Sequence, residues 1–186
     1  MNAFRTILCL ALVFIFTIPT ISAQAEEPTW LFTVPKAKSL DRYNYNLGLL
    51  YADFGVNENL EIGIHGLKYS VSGSSLAFGA SLFPLMSPYI VKSLGVGSGA
   101  VHLGVKAAPY VFFAGFEIPL SSNVKFVAEL NGGIFAGVRI FPAQNWTLDI
   151  FAAFATVEVY KYRYSRIEID EFHPIPGILI AYSGRL

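Results

Sequence analysis

The feature that most constrains the fold is an alternation of apolar and polar residues that recurs after residue 25. Along 124–131, Val, Phe, Ala and Leu occupy the even positions, whereas Lys, Val, Glu and Asn occupy the odd ones. Similar alternation is found along 60–67, 101–106, 134–140 and 146–150. A period of two is typical of β strands with one apolar and one polar face. No segment after residue 25 favours the helical period, so we predict an all-β fold.

The chain is hydrophobic, yet after residue 25 it contains no stretch that could form a transmembrane helix. Hydrophobic residues make up 54% of the sequence and charged residues 14%, against about 25% charged residues in typical soluble domains. The longest apolar stretch after residue 25, Ala107–Phe116, is interrupted by Pro109 and is shorter than the ~20 residues of a spanning helix. Two fold classes remain, a soluble all-β fold and a closed transmembrane barrel.

The positions of the glycines distinguish these two classes. Glycine weakens a strand interior, so its presence there needs a reason. We place one strand glycine, Gly66, on the apolar face and six on the polar or small-residue face. The six are Gly48, Gly63, Gly79, Gly104, Gly115 and Gly137. The interior of a narrow barrel is crowded, and glycines there leave room for long charged side chains. This pattern favours a barrel with polar residues inside and apolar residues outside.

Turn signals divide the alternating pattern into strands. Short turns are predicted at 55–58, 119–122, 131–133 and 142–144, and longer connections near 70–75, 85–98 and 165–174. We predict strands near 43–54, 59–69, 76–83, 99–108, 111–118, 123–130, 134–141, 146–155, 157–164 and 175–183. The predicted fold is therefore a closed antiparallel up-and-down transmembrane β-barrel of ten strands, with eight or twelve strands as the alternatives.

The first 25 residues have the pattern of a secretory signal peptide. A positively charged start precedes the apolar run Ile7–Phe16, which has the length of a signal-peptide core and is too short to span a bilayer. We expect residues 1–25 to be removed by cleavage after Ala23 or Ala25, leaving residues 26–186 as an outer-membrane barrel. The alternative is an uncleaved anchor helix.

Charge and cysteine content exclude several function classes. Thirteen basic residues balance thirteen acidic ones, for a net charge of +0, which argues against a nucleic-acid partner. The only cysteine, Cys9, lies within the predicted signal peptide. The mature chain would therefore have no disulfide, thiolate metal site or cysteine nucleophile.

A predicted signal peptide, amphipathic strands of about ten residues and alternating short and long turns together resemble small bacterial outer-membrane β-barrels. More narrowly, the segments 102–104, 113–120 and 127–132 are similar to the hairpin repeat of YjbH-like barrel proteins, a group associated with exopolysaccharide production or export. The resemblance implies location in the bacterial outer membrane. It implies as partners outer-membrane lipid, the barrel-assembly machinery and envelope polysaccharide. One departure is that Gly184 and Leu186 follow the alternating Ile178, Ile180 and Tyr182, where such barrels usually end on an aromatic residue.

The polar face of the predicted strands carries a set of charged and histidine side chains that would line the lumen. These residues are Glu61, His65, His102, Lys106, Glu117, Lys125, Glu129, Arg139 and Asp149. One interpretation is a selective, porin-like pore lining or a proton-linked site. The interpretation we favour is a network of ion pairs that fills a narrow lumen, because buried charges are tolerated only when they are paired.

No motif indicates catalysis or cofactor binding. His65 and His102 could serve in a lipid-modifying enzyme, but no Gly-x-Ser-x-Gly or His-x-Glu pattern accompanies them. We therefore predict no catalytic residue, cofactor or metal. The acidic segment Arg166–His173 is interpreted as a solvated loop, with cation or partner binding as the alternative.

These observations predict a non-enzymatic outer-membrane β-barrel with a structural or accessory role in the envelope, linked through the resemblance to exopolysaccharide production or export. One alternative is a soluble exported barrel that binds an apolar ligand. That model inverts the strands and places inside Leu60, Ile62, Ile64, Phe126 and Leu148. The other alternative is a lipid-modifying barrel enzyme.

Overall fold

The computed structural model describes residues 27–49, 51–82, 87–107, 111–156 and 174–186. Twelve β strands occur within these ranges. No helix in them is long and apolar enough to cross a membrane. The strands are β1 Asn44–Gly48, β2 Tyr51–Gly55, β3 Leu60–Gly63, β4 Gly66–Ser70, β5 Leu76–Ser81, β6 Ser87–Val96, β7 Gly99–Lys106, β8 Phe112–Ser121, β9 Val124–Leu130, β10 Gly133–Ile140, β11 Trp146–Thr156 and β12 Ile175–Arg185.

The strands form one closed antiparallel barrel, which confirms the predicted all-β, up-and-down architecture. Each strand pairs with its neighbours in sequence. β1 also pairs with β12, in a register that places Asn46 opposite Ser183. Closure leaves no free sheet edge.

The preferred count of ten strands is wrong, and the alternative of twelve is correct for the described residues. The predicted strands 43–54 and 59–69 each contain a hairpin, β1–β2 and β3–β4. The alternation of 60–67 continues across the β3–β4 turn, so period alone did not reveal the turn. The segment 85–98 was predicted as a connection but contains β6, whose inward residues Tyr89 and Val91 are apolar. The predicted strand 157–164 lies outside the described residues.

Along the strands, polar side chains point inward and apolar ones outward. Glu61 is 2% exposed, whereas its neighbour Ile62 is 44% exposed. Arg139 and Asp149 are likewise buried, and Ile134 and Ile150 are exposed. The inverted facing required for the soluble ligand-binding model is therefore not observed at Ile62 or at Ile64, which is also exposed.

The two ends of the barrel differ in the connections they carry. We call the end where β1 begins and β12 ends the terminal end. It includes the two-residue connections at 97–98 and 122–123. The opposite end, here called the distal end, carries connections of more varied length, from 64–65 and 131–132 to 157–174.

Inside the barrel lies a segment for which no strand was predicted. Residues 27–40, here called the inner segment, run through the lumen before β1. Its apolar side chains, including Leu31, Val34 and Leu40, are almost fully buried. Trp30 and Pro35 form an isolated antiparallel bridge, and the Leu31 N–H donates to the Val34 carbonyl at 2.9 Å. The inner segment is thus a tight hairpin with its turn at residues 31–34.

Candidate functional site: the occupied lumen

A twelve-strand barrel is wider than its wall side chains alone can fill, because barrel diameter grows with strand number. The inner segment occupies this space, and its backbone is not paired with the wall as a strand. Each buried N–H and C=O of such a segment needs another partner. Charged side chains on the wall supply many of these partners.

Glu129 on β9 binds the turn of the inner segment. Its carboxylate accepts the backbone N–H groups of Phe32, Thr33 and Val34, at 3.0–3.1 Å. The Thr33 hydroxyl donates to the same carboxylate at 2.6 Å. Three successive N–H groups directed at one carboxylate form a compact anion-binding arrangement.

Arg139 on β10 satisfies carbonyl groups of the same turn. Its guanidinium donates to the carbonyls of Trp30 and Leu31, both at 3.1 Å. It also forms a bidentate pair with Asp149 of the adjacent strand, with both N–O distances 2.8 Å. Arg139 and Asp149 are directly opposite in the β10–β11 register and are fully buried. Asp149 therefore neutralises the buried charge of Arg139, while Arg139 binds the inner segment.

A second cross-strand pair, Glu61 with Lys68 at 3.0 Å, binds the two arms of the inner segment. Glu61 accepts hydrogen bonds from the Thr29 hydroxyl, the Trp30 indole N–H and the Leu40 backbone N–H, at 2.7–3.1 Å. Lys68 Nζ donates to the Thr29 carbonyl at 3.1 Å. One buried acid thus connects the entering arm of the hairpin with the returning arm.

Near the terminal end the inner segment contributes its own charges. Lys36 pairs with Glu117 on β8 at 2.9 Å, and Glu27 pairs with both Lys36 and Lys125. Burial lowers the pKa of Lys36, although the nearby Glu117 favours its charged form. Burial opposes ionisation of Glu27, but the charges of Lys36 and Lys125 hold the pKa of Glu27 below its ordinary value.

The three remaining predicted lumen residues also lie on the inner side. His65 Nδ1 is 3.2 Å from Asp53, and its ring stacks on Trp30 at 4.7 Å between centroids. Lys106 Nζ donates to Asn131 Oδ1 at 2.5 Å. His102 is buried between Ser93 and Glu117, with its Nδ1 2.6 Å from Ser93 Oγ and its Nε2 3.4 Å from Glu117 Oε1.

The structure therefore places all nine predicted lumen residues around the inner segment, but their main partners were not foreseen. Among the described contacts, the ion pairs within the predicted set are Arg139 with Asp149, His102 with Glu117 and Lys125 with Glu117. The prediction missed Asp53, Lys68, Lys36 and Glu27. Lys68 could have been found from its alternation with Leu67 and Tyr69, whereas no periodic signal marks Glu27 or Lys36.

Glycines of the wall leave room for neighbours of several kinds. At Gly63 an added Cβ would overlap the Asp53 carboxylate, which agrees with the predicted reason at that position alone. At Gly104 it would overlap the Phe113 ring, so a charged neighbour is not the reason there. At Gly115 an added Cβ would instead overlap Leu31 Cδ1 and lie 3.0 Å from Val34 Cγ1. Gly115 therefore allows the hairpin turn to approach the wall closely.

Two cavities flank the inner segment. The terminal cavity, about 990 Å³ in volume, is lined by polar residues that include Ser70, Ser93, His102 and Glu117. The distal cavity, about 580 Å³, is lined mostly by aromatic and aliphatic side chains. Among the described residues, no three His, Cys, Asp or Glu side chains are grouped so as to hold a metal ion.

Comparison with known proteins adds no relative. No protein-family model matches the chain. No curated protein and no solved structure matches it either.

Proposed function

We propose that this protein is a non-enzymatic β-barrel of the bacterial outer membrane, with a structural or accessory role in the envelope and a lumen closed by its own inner segment. The observation that carries the proposal is the belt of exposed apolar side chains around a charged interior. Its members include Leu47, Ile62, Leu67, Phe78, Ile90, Leu103, Phe112, Leu130, Ile134, Ile150, Ile178 and Ile180. Such a surface is unfavourable in water and favourable in lipid.

Strand length supports membrane insertion on the side of the barrel formed by β6–β12. On the side formed by β1–β5 the strands are short, and exposed residues of the distal connections extend the apolar surface. Strands β6–β12 have 7–11 residues, close to the ~9–11 residues of a transmembrane strand. Strands β1–β5 have only 4–6 residues. On that side the apolar surface continues into the distal connections, where Leu49, Ile64 and Leu82 are exposed. The connections of the terminal end have two to five residues, and because short turns of such barrels lie on the periplasmic side, the terminal end would face the periplasm.

The filled lumen supports a structural or accessory role over constitutive transport. Glu61, Glu129 and Arg139 bind the inner segment across the lumen from three different strands. A link to envelope polysaccharide remains the prediction of the sequence resemblance, and pull-down of the folded barrel with envelope polysaccharide fractions would test it.

Neighbouring residues on β5 allow a matched test of membrane insertion. Phe78 is 47% exposed on the outer face, whereas Ala77 is fully buried. In the background of a chain whose mature part has no cysteine, we expect a spin label at F78C to contact lipid-soluble oxygen and one at A77C to be shielded. The protein should migrate in a heat-modifiable way in the outer-membrane fraction. Recovery in the detergent-free soluble periplasm would contradict the proposal.

A second candidate function, hydrolysis of an envelope ester, is favoured by one specific observation. Ser93, His102 and Glu117 lie in a hydroxyl–imidazole–carboxylate series that lines the terminal cavity, although His102 Nε2, 3.4 Å from Glu117, makes no hydrogen bond. With its proton on Nε2, His102 could accept the Ser93 proton at Nδ1 while the serine attacks an ester carbonyl. His102 would return this proton to the leaving alcohol, and a water deprotonated by His102 would then release the acid from Ser93. The non-enzymatic role is preferred because Ser93 Oγ also accepts the Ala37 N–H at 2.9 Å and so holds the inner segment.

A fluorophosphonate probe distinguishes the two candidates. An esterase predicts labelling that is lost in S93A and H102A but kept in S87A, which removes another serine of β6. Absence of labelling in the folded wild-type barrel would exclude the second candidate.

A further inference from the structure

The distal cavity differs in chemistry from the rest of the lumen. Its wall is formed by Phe113, Phe135, Phe151 and Leu179 of four strands, together with Trp30 and Phe32 of the inner segment. Phe32 stacks on Phe151 with ring centroids 4.6 Å apart. These inward aromatic residues are exceptions to the polar-in pattern, as Val91 and Val127 are elsewhere in the barrel.

A cavity of this kind favours an apolar guest. At about 580 Å³ it falls within the ~300–1,000 Å³ typical of ligand sites, which are mostly apolar with a few placed polar groups. Apolar cavities in proteins bind hydrocarbons, because hydrocarbon gains dispersion contacts there and loses contact with water.

Three polar side chains of the cavity lining are joined by hydrogen bonds. Lys106 donates to Asn131 Oδ1 at 2.5 Å, and Asn131 Nδ2 donates to Thr33 Oγ1 at 2.9 Å. Thr33, at the tip of the hairpin, is exposed. Lys106, Asn131, Ile64 and Ser81 are close to distal connections, so this part of the lining lies at the distal mouth of the lumen. The fixed position of Lys106 places a positive charge beside the apolar cavity.

We propose that the distal cavity binds a single-chain amphiphile with an anionic head, of the fatty-acid type. The hydrocarbon chain would lie among Phe113, Phe135 and Phe151, and the head beside Lys106 and Asn131. This inference goes beyond the proposed envelope role and does not depend on membrane location, since it rests on the interior of the barrel alone.

The two tryptophans of the chain provide a matched measurement. Trp30 lines the cavity and is 4% exposed, whereas Trp146 lies on the outer surface. In W146F, where Trp30 is the sole tryptophan, we expect brominated hexadecanoic acid to quench fluorescence in a saturable way. In W30F, where the remaining Trp146 lies on the outer surface away from the cavity, we expect no saturable quenching. Equal, unsaturated quenching in both variants would overturn the proposal.

A second variant tests the head group. K106M, in the W146F background, should weaken binding of the brominated acid about tenfold, the size of a lost charge-assisted hydrogen bond. Binding of the brominated methyl ester should not change, and heat-modifiable migration would show that the barrel is folded. If K106M leaves the affinity for the acid unchanged, the anionic head is wrong even where Trp30 quenching is saturable.

Discussion

Two regions of the same lumen differ in chemistry for different physical reasons. One contains the charged side chains that bind the inner segment, and the other is the aromatic wall of the distal cavity. Glu61, Glu129 and Arg139 are buried where an irregular backbone needs donors and acceptors. Around Phe113 and Phe135 the cavity is bordered by side chains of the inner segment, so apolar residues are tolerated there. Inside this barrel, charged side chains therefore lie where the backbone of the inner segment needs hydrogen-bond partners, and apolar side chains lie where only side chains of that segment are near.

The largest effect is expected when the hairpin of the inner segment, which the buried charges bind, is replaced. Replacing residues 30–35 with a Gly-Ser sequence of equal length removes the buried aromatic and aliphatic side chains of the hairpin. We expect the lumen to change from closed to ion-conducting in planar bilayers, because a twelve-strand wall does not fill its own interior. Wild-type protein from the same preparation is the control. A closed lumen in the folded variant would show that wall side chains suffice.

Breaking the Arg139–Asp149 pair should be the most destabilising single substitution. R139M leaves Asp149 buried without its partner and removes two donors to the inner segment, with an expected cost of about 3–5 kcal/mol. Denaturant unfolding in micelles measures this loss. The double variant R139M/D149L should recover much of the stability, since both charges are then absent. No recovery would mean that the contacts to the Trp30 and Leu31 carbonyls dominate.

Neutralising Glu129 should have a smaller effect. E129Q keeps the size of the side chain but weakens the hydrogen bonds from three backbone N–H groups, at an expected cost of about 1.5–3 kcal/mol. The same unfolding measurement applies. Cysteine labelling at V34C, a fully buried position of the turn, should become faster in E129Q as the turn is released. Unchanged labelling would show that Phe32 and Arg139 hold the turn without Glu129.

A substitution at Gly115 tests whether the hairpin turn lies close to the wall. G115A places a methyl group against Leu31 and Val34 and should cost about 1–3 kcal/mol through overpacking. G95A is the matched control, because nothing lies within 4 Å of a Cβ at Gly95, and its effect should stay within about 0.5 kcal/mol. Similar stabilities of the two variants would contradict the close packing.

The smallest effect is expected in the distal cavity. The Phe135 side chain borders the open space of the cavity, so F135L should lower the free energy of unfolding by less than about 1.5 kcal/mol. This loss is well below that expected for R139M in the same strand. Calorimetry or denaturant unfolding would measure it. A loss as large as that of R139M would remove the distinction between the two regions.

The position and facing of many wall strands could be predicted from the sequence, because the alternation of a strand is visible in consecutive residues. The alternation along 124–131 and 146–150 predicted β9 and β11 and their facing, and the inward position of Glu129 and Asp149 follows from it. The β3–β4 turn was not predictable from period, since Ile64 continues the alternation. β6 was missed because its inward Tyr89 and Val91 pack against apolar neighbours inside the barrel.

The sequence by itself determined the all-β class and the facing of the strands whose alternation it revealed, because each residue of a strand points its side chain to the face opposite that of the residue before it. Only the tertiary structure decided the strand count and what fills the lumen. Residues 27–40 carry no strand period, and their placement depends on hydrogen bonds to Glu61, Glu129 and Arg139 across 21–109 positions of sequence. Such contacts exist only after the barrel has brought those strands together, so no local pattern could predict them.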